Sequence, residues 1–303
     1  MAYPQVANAP FDDHDADVIF RTFDNVDFRV FKAVLSLASP VFKAMFTLPQ
    51  PVSAEPPAEA PVVPISEMAE AFEPLLLICY PATPPVVEAL RDVRVLLEVA
   101  RKYDIACAVQ FAANQLISPR FLETNPVGVY CIAACYGLES VARAAALQTL
   151  NIPSFGRPSA YVEEMELVPM STYHRLLDYH YRCGQAAARV ADVEYKEWVW
   201  ELDGIFPSCH CAIYDEEGGT PIRLWGFFGK LGGVADNLKG KPLGITVIHS
   251  TGFRAATKQI IVSCEECMPE WSDNERRWQA VSQAFARRIE EEVTKIQLEF
   301  MAY

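Results

Sequence analysis

The hydrophobic period of this chain changes once and abruptly near residue 31, which restricts its first part to folds that join a small sheet to helices. Val18, Ile19 and Phe20, then Val26, Phe28, Val30 and Phe31, give residues 17–22 and 26–31 the β-branched and aromatic content of strands. Phe23, Asp24 and Asn25 between them suit a tight turn, so the pair predicts a β-hairpin. From there on Val34, Leu37, Ala38, Val41, Phe42, Met45 and Phe46 recur three or four apart, a helical stripe. Ser39-Pro40 interrupts it. Proline disfavours a helical residue before it and is well suited to begin a helix, so two short helices are expected, with Ser39 capping the second.

Downstream, Pro49, Pro51, Pro56, Pro57, Pro61 and Pro64 make residues 49–64 unfit for a central strand or a helix, and an extended loop is expected. Val62, Val63 and Ile65 can re-enter as a short edge strand, and a helix starting near residues 66–70 carries Phe72 and the leucine run towards Tyr80-Pro81. A helix pair follows over residues 86–113, with Leu96, Leu97, Ala100, Ile105, Val109 and Phe111 facing inward. Residues 125–150 are again helical by period, with Gly137 as a stop in the left-handed conformation. Two further amphipathic stretches cover residues 170–190 and 195–202. Glycine and proline make residues 204–244 read as loop-rich. The stripe Val281, Phe285, Ile289, Val293, Ile296 predicts a final helix from Glu275. Residues 1–14, with Pro4, Pro10 and Asp12-Asp13, offer little to bury and read as a flexible arm.

At 303 residues and 51% apolar content the chain has material for about two domains. Its net charge of −13 repels phosphate backbones and anionic membranes. Arg276-Arg277 and Arg287-Arg288 are interleaved with Glu275, Glu290, Glu291 and Glu292, which is the solvated face of a helix rather than a nucleic-acid footprint. The apolar run from Leu75 to Cys79 falls far short of the roughly 18 residues that span a bilayer, and the first ten residues do not resemble a secretory signal. Nine cysteines, an odd number spread along the chain, do not form a secreted disulfide framework. These features place the protein inside the cell, cytoplasmic or nuclear, with no nucleic-acid or membrane partner.

Several words of the sequence, in order, resemble the BTB/POZ family. Asp17-Val18-Ile19-Phe20 is similar to its opening strand, and Phe28-Arg29-Val30-Phe31-Lys32-Ala33-Val34-Leu35 to its strand-to-helix junction. Ser39-Pro40-Val41-Phe42-Lys43-Ala44-Met45-Phe46 is similar to the next helix, and Tyr80-Pro81 and residues 96–103 match later words. The resemblance covers residues 15–115. Two departures stand out: Phe31 replaces the family's junction histidine, and Val52-x-x-Glu55 differs in spacing from the apolar-x-Glu word of cullin-binding members. Ala133-Ala134-Cys135-Tyr136-Gly137-Leu138-Glu139 and the C-terminal part resemble BTB proteins of basidiomycete fungi. The resemblance implies an α+β fold: a small β-sheet covered by helix pairs, then a mostly helical extension, BACK-like over residues 116–202. Residues 203–303 would be a loop-rich segment ending in an amphipathic helix.

Outside that region the chemistry lies in cysteine. Cys209 and Cys211 form one close pair and Cys264 and Cys267 another, with His180 and Cys183 a third donor pair one helical turn apart. Two readings fit: a closed, structural zinc site, or reduced thiols packed as small hydrophobes. A zinc-dependent enzyme is the weaker alternative, because an all-thiolate site leaves no open position. No Gly-x-Ser-x-Gly elbow is present, and His14, His174, His180, His210 and His249 fit no His-Glu-x-x-His frame. Residues 226–233 lack phosphate-loop spacing, with Leu231 where the hydroxyl belongs. At the strand start, Asp17 is expected to hold backbone donors.

The expectation is therefore a non-enzymatic adaptor or scaffold that requires no cofactor. Met45, Phe46, Phe42 and Leu48 would bind the partner, while Asp17, Phe42 and Tyr80 support the domain. A cullin scaffold is one expected partner. A homodimer acting as a transcriptional co-regulator is the alternative.

Overall fold

In a computed structural model the described residues are 3–48, 60–153, 155–156, 161–192, 227–262 and 274–302. They divide into two compact units, residues 1–125 and 126–303, and the fold is α+β.

The first unit is built on the hairpin of β2 (Val18–Arg21) and β3 (Val26–Val30). Its turn closes through the Thr22 and Val26 backbones and the Thr22 hydroxyl, with Asn25 at a φ of 66°. Arg21 and Asp27 face each other across the strands in a two-pronged ion pair of 2.7 and 2.8 Å. β1 (Gln5–Val6) adds to β3 in parallel and β4 (Val62–Pro64) adds to β2 in parallel, for a strand order of β1-β3-β2-β4. β4 is the edge strand read from Val62 and Val63.

Residues 3–14 bury more than their composition suggested. Phe11 is fully buried, 5.6 Å from Phe28 and 5.3 Å from Tyr80 between ring centres, and its carbonyl accepts the Arg29 amide. The flexible-arm reading is corrected for these residues: one aromatic ring and a two-residue strand anchor them.

Helices follow in the predicted order, α1 (Lys32–Ala38), α2 (Pro40–Thr47), α3 (Ala69–Cys79), α4 (Leu90–Lys102) and α5 (Ala106–Leu116), and a short α6 (Pro119–Leu122) that the sequence reading did not include. Ser39 ends α1 and caps α2, accepting the Phe42 amide at 3.0 Å, with Pro40 in the first helical position. Its hydroxyl also donates to the Tyr103 carbonyl beyond the end of α4. Asp24, at the hairpin turn, caps α3 from a distance by accepting the Ala69 amide at 2.9 Å. Phe20 lies in an aromatic cluster with Phe42, Phe46 and Phe72, and Tyr103 stacks on Phe42 at 4.6 Å. Each such pair contributes about 0.5–1.5 kcal/mol beyond its buried area.

The second unit begins with α7 (Pro126–Cys135), whose residues 126–134 are all buried. An all-apolar helix has no face for water and becomes a core element. Gly137, at a φ of 65°, makes the stop before α8 (Glu139–Thr149). α9 (Met170–Arg189) packs on α10 (Gly232–Gly240), and α11 (Gly244–Ile248), α12 (Thr251–Val262) and α13 (Asn274–Thr294) follow. The loop-rich reading is corrected for residues 232–262. Gly232, Gly233, Gly240 and Gly244 sit at or near helix ends, and Val234, Leu238 and Val247 are buried between them. Phe227, Phe253 and Phe285 form their own cluster, with Phe253 and Phe285 4.7 Å apart. Beyond α13 the chain is tied back: Arg143 donates to the Leu298 carbonyl and Arg182 to the Gln297 carbonyl.

Gly184 of α9 sits where a Cβ would lie 2.6 Å from the Lys239 carbonyl oxygen. Gly184→Ala is expected to destabilise the second unit by about 1–3 kcal/mol through forced separation of α9 and α10. Ser39→Ala removes a cap and leaves the Tyr103 carbonyl without its hydroxyl donor, at a cost of about 2 kcal/mol. Urea denaturation of the full chain checks both as lowered midpoints, and a midpoint unchanged by Ser39→Ala would contradict the role given to that hydroxyl.

Candidate functional site

The strand-to-helix junction that orients α1 and α2 is held from two distant positions. The Lys32 amide, first of α1, donates to Asp17 Oδ1 at 2.7 Å, and the Phe31 amide donates to the Tyr80 hydroxyl at 2.7 Å. Amides at a helix start have no partner within the helix, so these side chains fill that role. Burial and the nearby Asp17 carboxylate raise the Tyr80 phenol above its ordinary range, outweighing the Phe31 hydrogen bond, so it stays protonated.

With the junction fixed, α2 turns two faces to different surroundings. Phe42 is fully buried, and Phe46 is half-buried, its ring 6.2 Å from Phe20 and 6.1 Å from Phe42. Phe42 therefore belongs to the core, and its assignment to a binding surface is corrected: no partner can touch a ring stacked on Tyr103. Phe46 forms the rim of that core, with the Lys32 ammonium 6.0 Å from its ring centre. Outward, Val41, Ala44, Met45 and Leu48 stand at positions i, i+3, i+4 and i+7, one continuous helical face. Leu48 is 62% exposed, Val41 39%, and Met45 half-buried. On α1, Leu37 is 91% exposed. Sequence reasoning named Met45 and Leu48 for the surface and gave Leu37 and Val41 only as members of a helical stripe. The kink at Ser39-Pro40 breaks the single stripe into two helices, so one phase could not serve for both. Residues 49–59, which hold Val52 and Glu55, lie outside the described residues.

Glu67 accepts from the Lys102 ammonium and, at 2.7 Å, from the Tyr103 hydroxyl. Burial opposes charge on Glu67, yet these two donors outweigh it and hold the carboxyl below its ordinary range. A second feature went unread in the sequence. A cavity of about 510 Å³ opens where α3 and α4 meet, with Pro74, Val87 and Val95 in its wall and Glu70, Glu88 and Arg91 also lining it. It arises only when two helices and the residues between them pack, which no periodicity reports.

Cys209, Cys211, Cys264 and Cys267 lie outside the described residues. His180 and Cys183 are both buried on α9, and among the described residues no group of three or more His, Cys, Asp or Glu side chains could hold a metal ion. The His180 ring lies 5.1 Å from Phe155 and its Nε2 has no hydrogen-bond partner. Burial pushes its pKa down to about 4, against the opposing effect of a hydrogen bond to the Ile152 backbone. Among the described residues no helix is long and apolar enough to cross a membrane.

Residues 8–119 match the family model of the BTB/POZ domain. No curated protein matches the chain.

Because His180 is neutral when folded and titrates near its ordinary value when unfolded, the unfolded state gains a proton first as pH falls. The second unit is expected to keep its full stability above about pH 6.5 and to lose about 2–3 kcal/mol from this group between there and pH 4. Urea melts at pH 7 and pH 4.5 check this. A His180→Leu variant that retains the full difference would show that the loss arises elsewhere.

Proposed function

We propose, taking residues 8–119 as a BTB/POZ domain, that the chain is a non-enzymatic adaptor or scaffold whose partner docks on the outward face of α2. A BTB/POZ domain is a protein–protein interaction module, and the observation that carries the finer reading is the exposed apolar stripe of Val41, Ala44, Met45 and Leu48. Exposed apolar side chains on one helix face gain most by burial against a second protein. A cullin scaffold is the partner class to test first, with the helical second unit free to hold a cargo protein. The likeness to basidiomycete BTB proteins rests on the word at residues 133–139 and on the C-terminal part, and adds nothing to the partner's identity.

Leu37, almost wholly exposed on α1, favours a second reading in which the chain pairs with itself as a transcriptional co-regulator. Exchange of N-terminal segments would re-form the Gln5-to-Asn25 and Ala7-to-Asp27 backbone hydrogen bonds and the burial of Phe11 between two copies, and is compatible with this reading.

Calorimetric titration of the full chain with the N-terminal region of a cullin separates these readings. The adaptor reading expects saturable binding, weakened at least about tenfold by Met45→Arg together with Leu48→Glu, in a variant whose circular dichroism and urea midpoint match the parent's. Absence of heat, with a concentration-dependent dimer in light scattering that Leu37→Glu disperses, would replace it with the second reading.

A further inference from the structure

The cavity where α3 and α4 meet, about 510 Å³ in volume, is apolar within and charged around its mouth. Val87 and Leu96 in its lining are buried, and Pro74 and Val95 are half-buried. Glu70, Glu88 and Arg91 line it and stand exposed. The side formed by residues 87–89 is pinned through its backbone. Arg120 of α6 donates to the Val87 carbonyl at 3.1 Å and to the Glu88 carbonyl at 2.6 Å, and Asp92 accepts the Glu88 and Ala89 amides at 3.1 and 2.9 Å. With those groups satisfied, recognition on this side falls to side chains. On the other side Pro74, inside α3, has no amide to give the Glu70 carbonyl one turn earlier. Glu70 therefore brings a carboxylate and a backbone acceptor short of its usual donor. Among the described residues none of Glu70, Glu88 and Arg91 takes part in an ion pair.

We propose that this groove docks an extended segment of a partner protein in which a lysine or arginine stands between apolar residues. The cation meets the Glu70 and Glu88 carboxylates, the apolar neighbours cover Pro74, Val87 and Val95, and the Arg91 guanidinium donates to carbonyls of the segment's backbone. Two unpaired carboxylates against one guanidinium leave the groove negative, and the whole chain carries −13. A nucleotide or a phosphorylated segment is repelled by that field, whereas a basic one is drawn in. An apolar centre with a polar, solvated border is the build of a protein-binding surface, and a wall already held by Arg120 and Asp92 lowers the ordering cost of binding. This surface is distinct from the outward face of α2, since none of Val41, Ala44, Met45 and Leu48 lines the groove.

The test immobilises the full-length chain and exposes it to a library of short peptides, blocked at both ends and random in Leu, Val, Pro, Ala, Ser, Lys, Arg and Glu. Retained peptides are sequenced by mass spectrometry. Lysine or arginine flanked by apolar residues should be enriched. In calorimetry the best such peptide should bind at least about fivefold more weakly to Glu70→Gln with Glu88→Gln, and should weaken as salt is raised. Glu70→Lys with Glu88→Lys should turn the enrichment from basic to acidic peptides, a gain that loss of fold does not produce. Met45→Arg with Leu48→Glu should leave the affinity for the peptide unchanged, which separates this surface from docking on α2. No retained peptide, acidic peptides enriched by the parent chain, or a basic peptide that ignores both groove variants or is lost with the α2 variant would each overturn the proposal.

Discussion

Tyr103 is the residue on which the first unit most depends, because four contacts from two separate parts of the chain meet on it. Its ring stacks on Phe42 and meets Phe72 edge-on, its hydroxyl donates to Glu67, and its carbonyl accepts the Ser39 hydroxyl. One side chain thus fixes the corner between α1 and α2, the face of α2 that is lost to the core, and the approach to α3. The outward apolar stripe is the complement of that arrangement. Since Phe42 is committed to Tyr103, a helix with 3.6 residues per turn leaves Val41, Met45 and Leu48 about 60–120° round from it, on the flank of the helix.

The parts of this design that could be read from sequence are those enforced by local chemistry. Proline after Ser39 leaves few backbone options, the two strand-like runs flank a turn word, and Gly137 interrupts a helical period. The misread parts depend on partners far away in sequence. Nothing near Phe11 announces that Phe28 and Tyr80 will close over it. The glycines of residues 232–244 look like loop formers until Val234, Leu238 and Val247 find a buried surface. Phe42 was placed both in the core and on the surface because the stripe containing it is apolar on more than one side. On the outward faces of α1 and α2, Met45 and Leu48 were legible and Leu37 and Val41 were not. The α3–α4 cavity was invisible, as any feature formed by packing must be.

The second unit solves a different problem. α7 has no polar face at all and can exist only as an element surrounded by others, which α8 and α9 help to supply. Where α9 meets α10, Gly184 allows backbone to approach backbone. The segment after α13 is held by arginine side chains reaching for its carbonyls, while Leu298 is buried. Directional hydrogen bonds fix its register and apolar contact supplies the burial.

The sheet of the first unit has a property that follows from how it ends on each side. A sheet edge with a long run of free amides and carbonyls is a template on which other chains can grow. Here one outer strand is only two residues long, and the other ends in Pro64, which has no amide to donate. The antiparallel pair lies between them. Among the described residues this unit thus exposes apolar side chains on a helix while its backbone edges stay unsuited to self-propagating β-structure, so any stickiness lies in side chains rather than in the sheet.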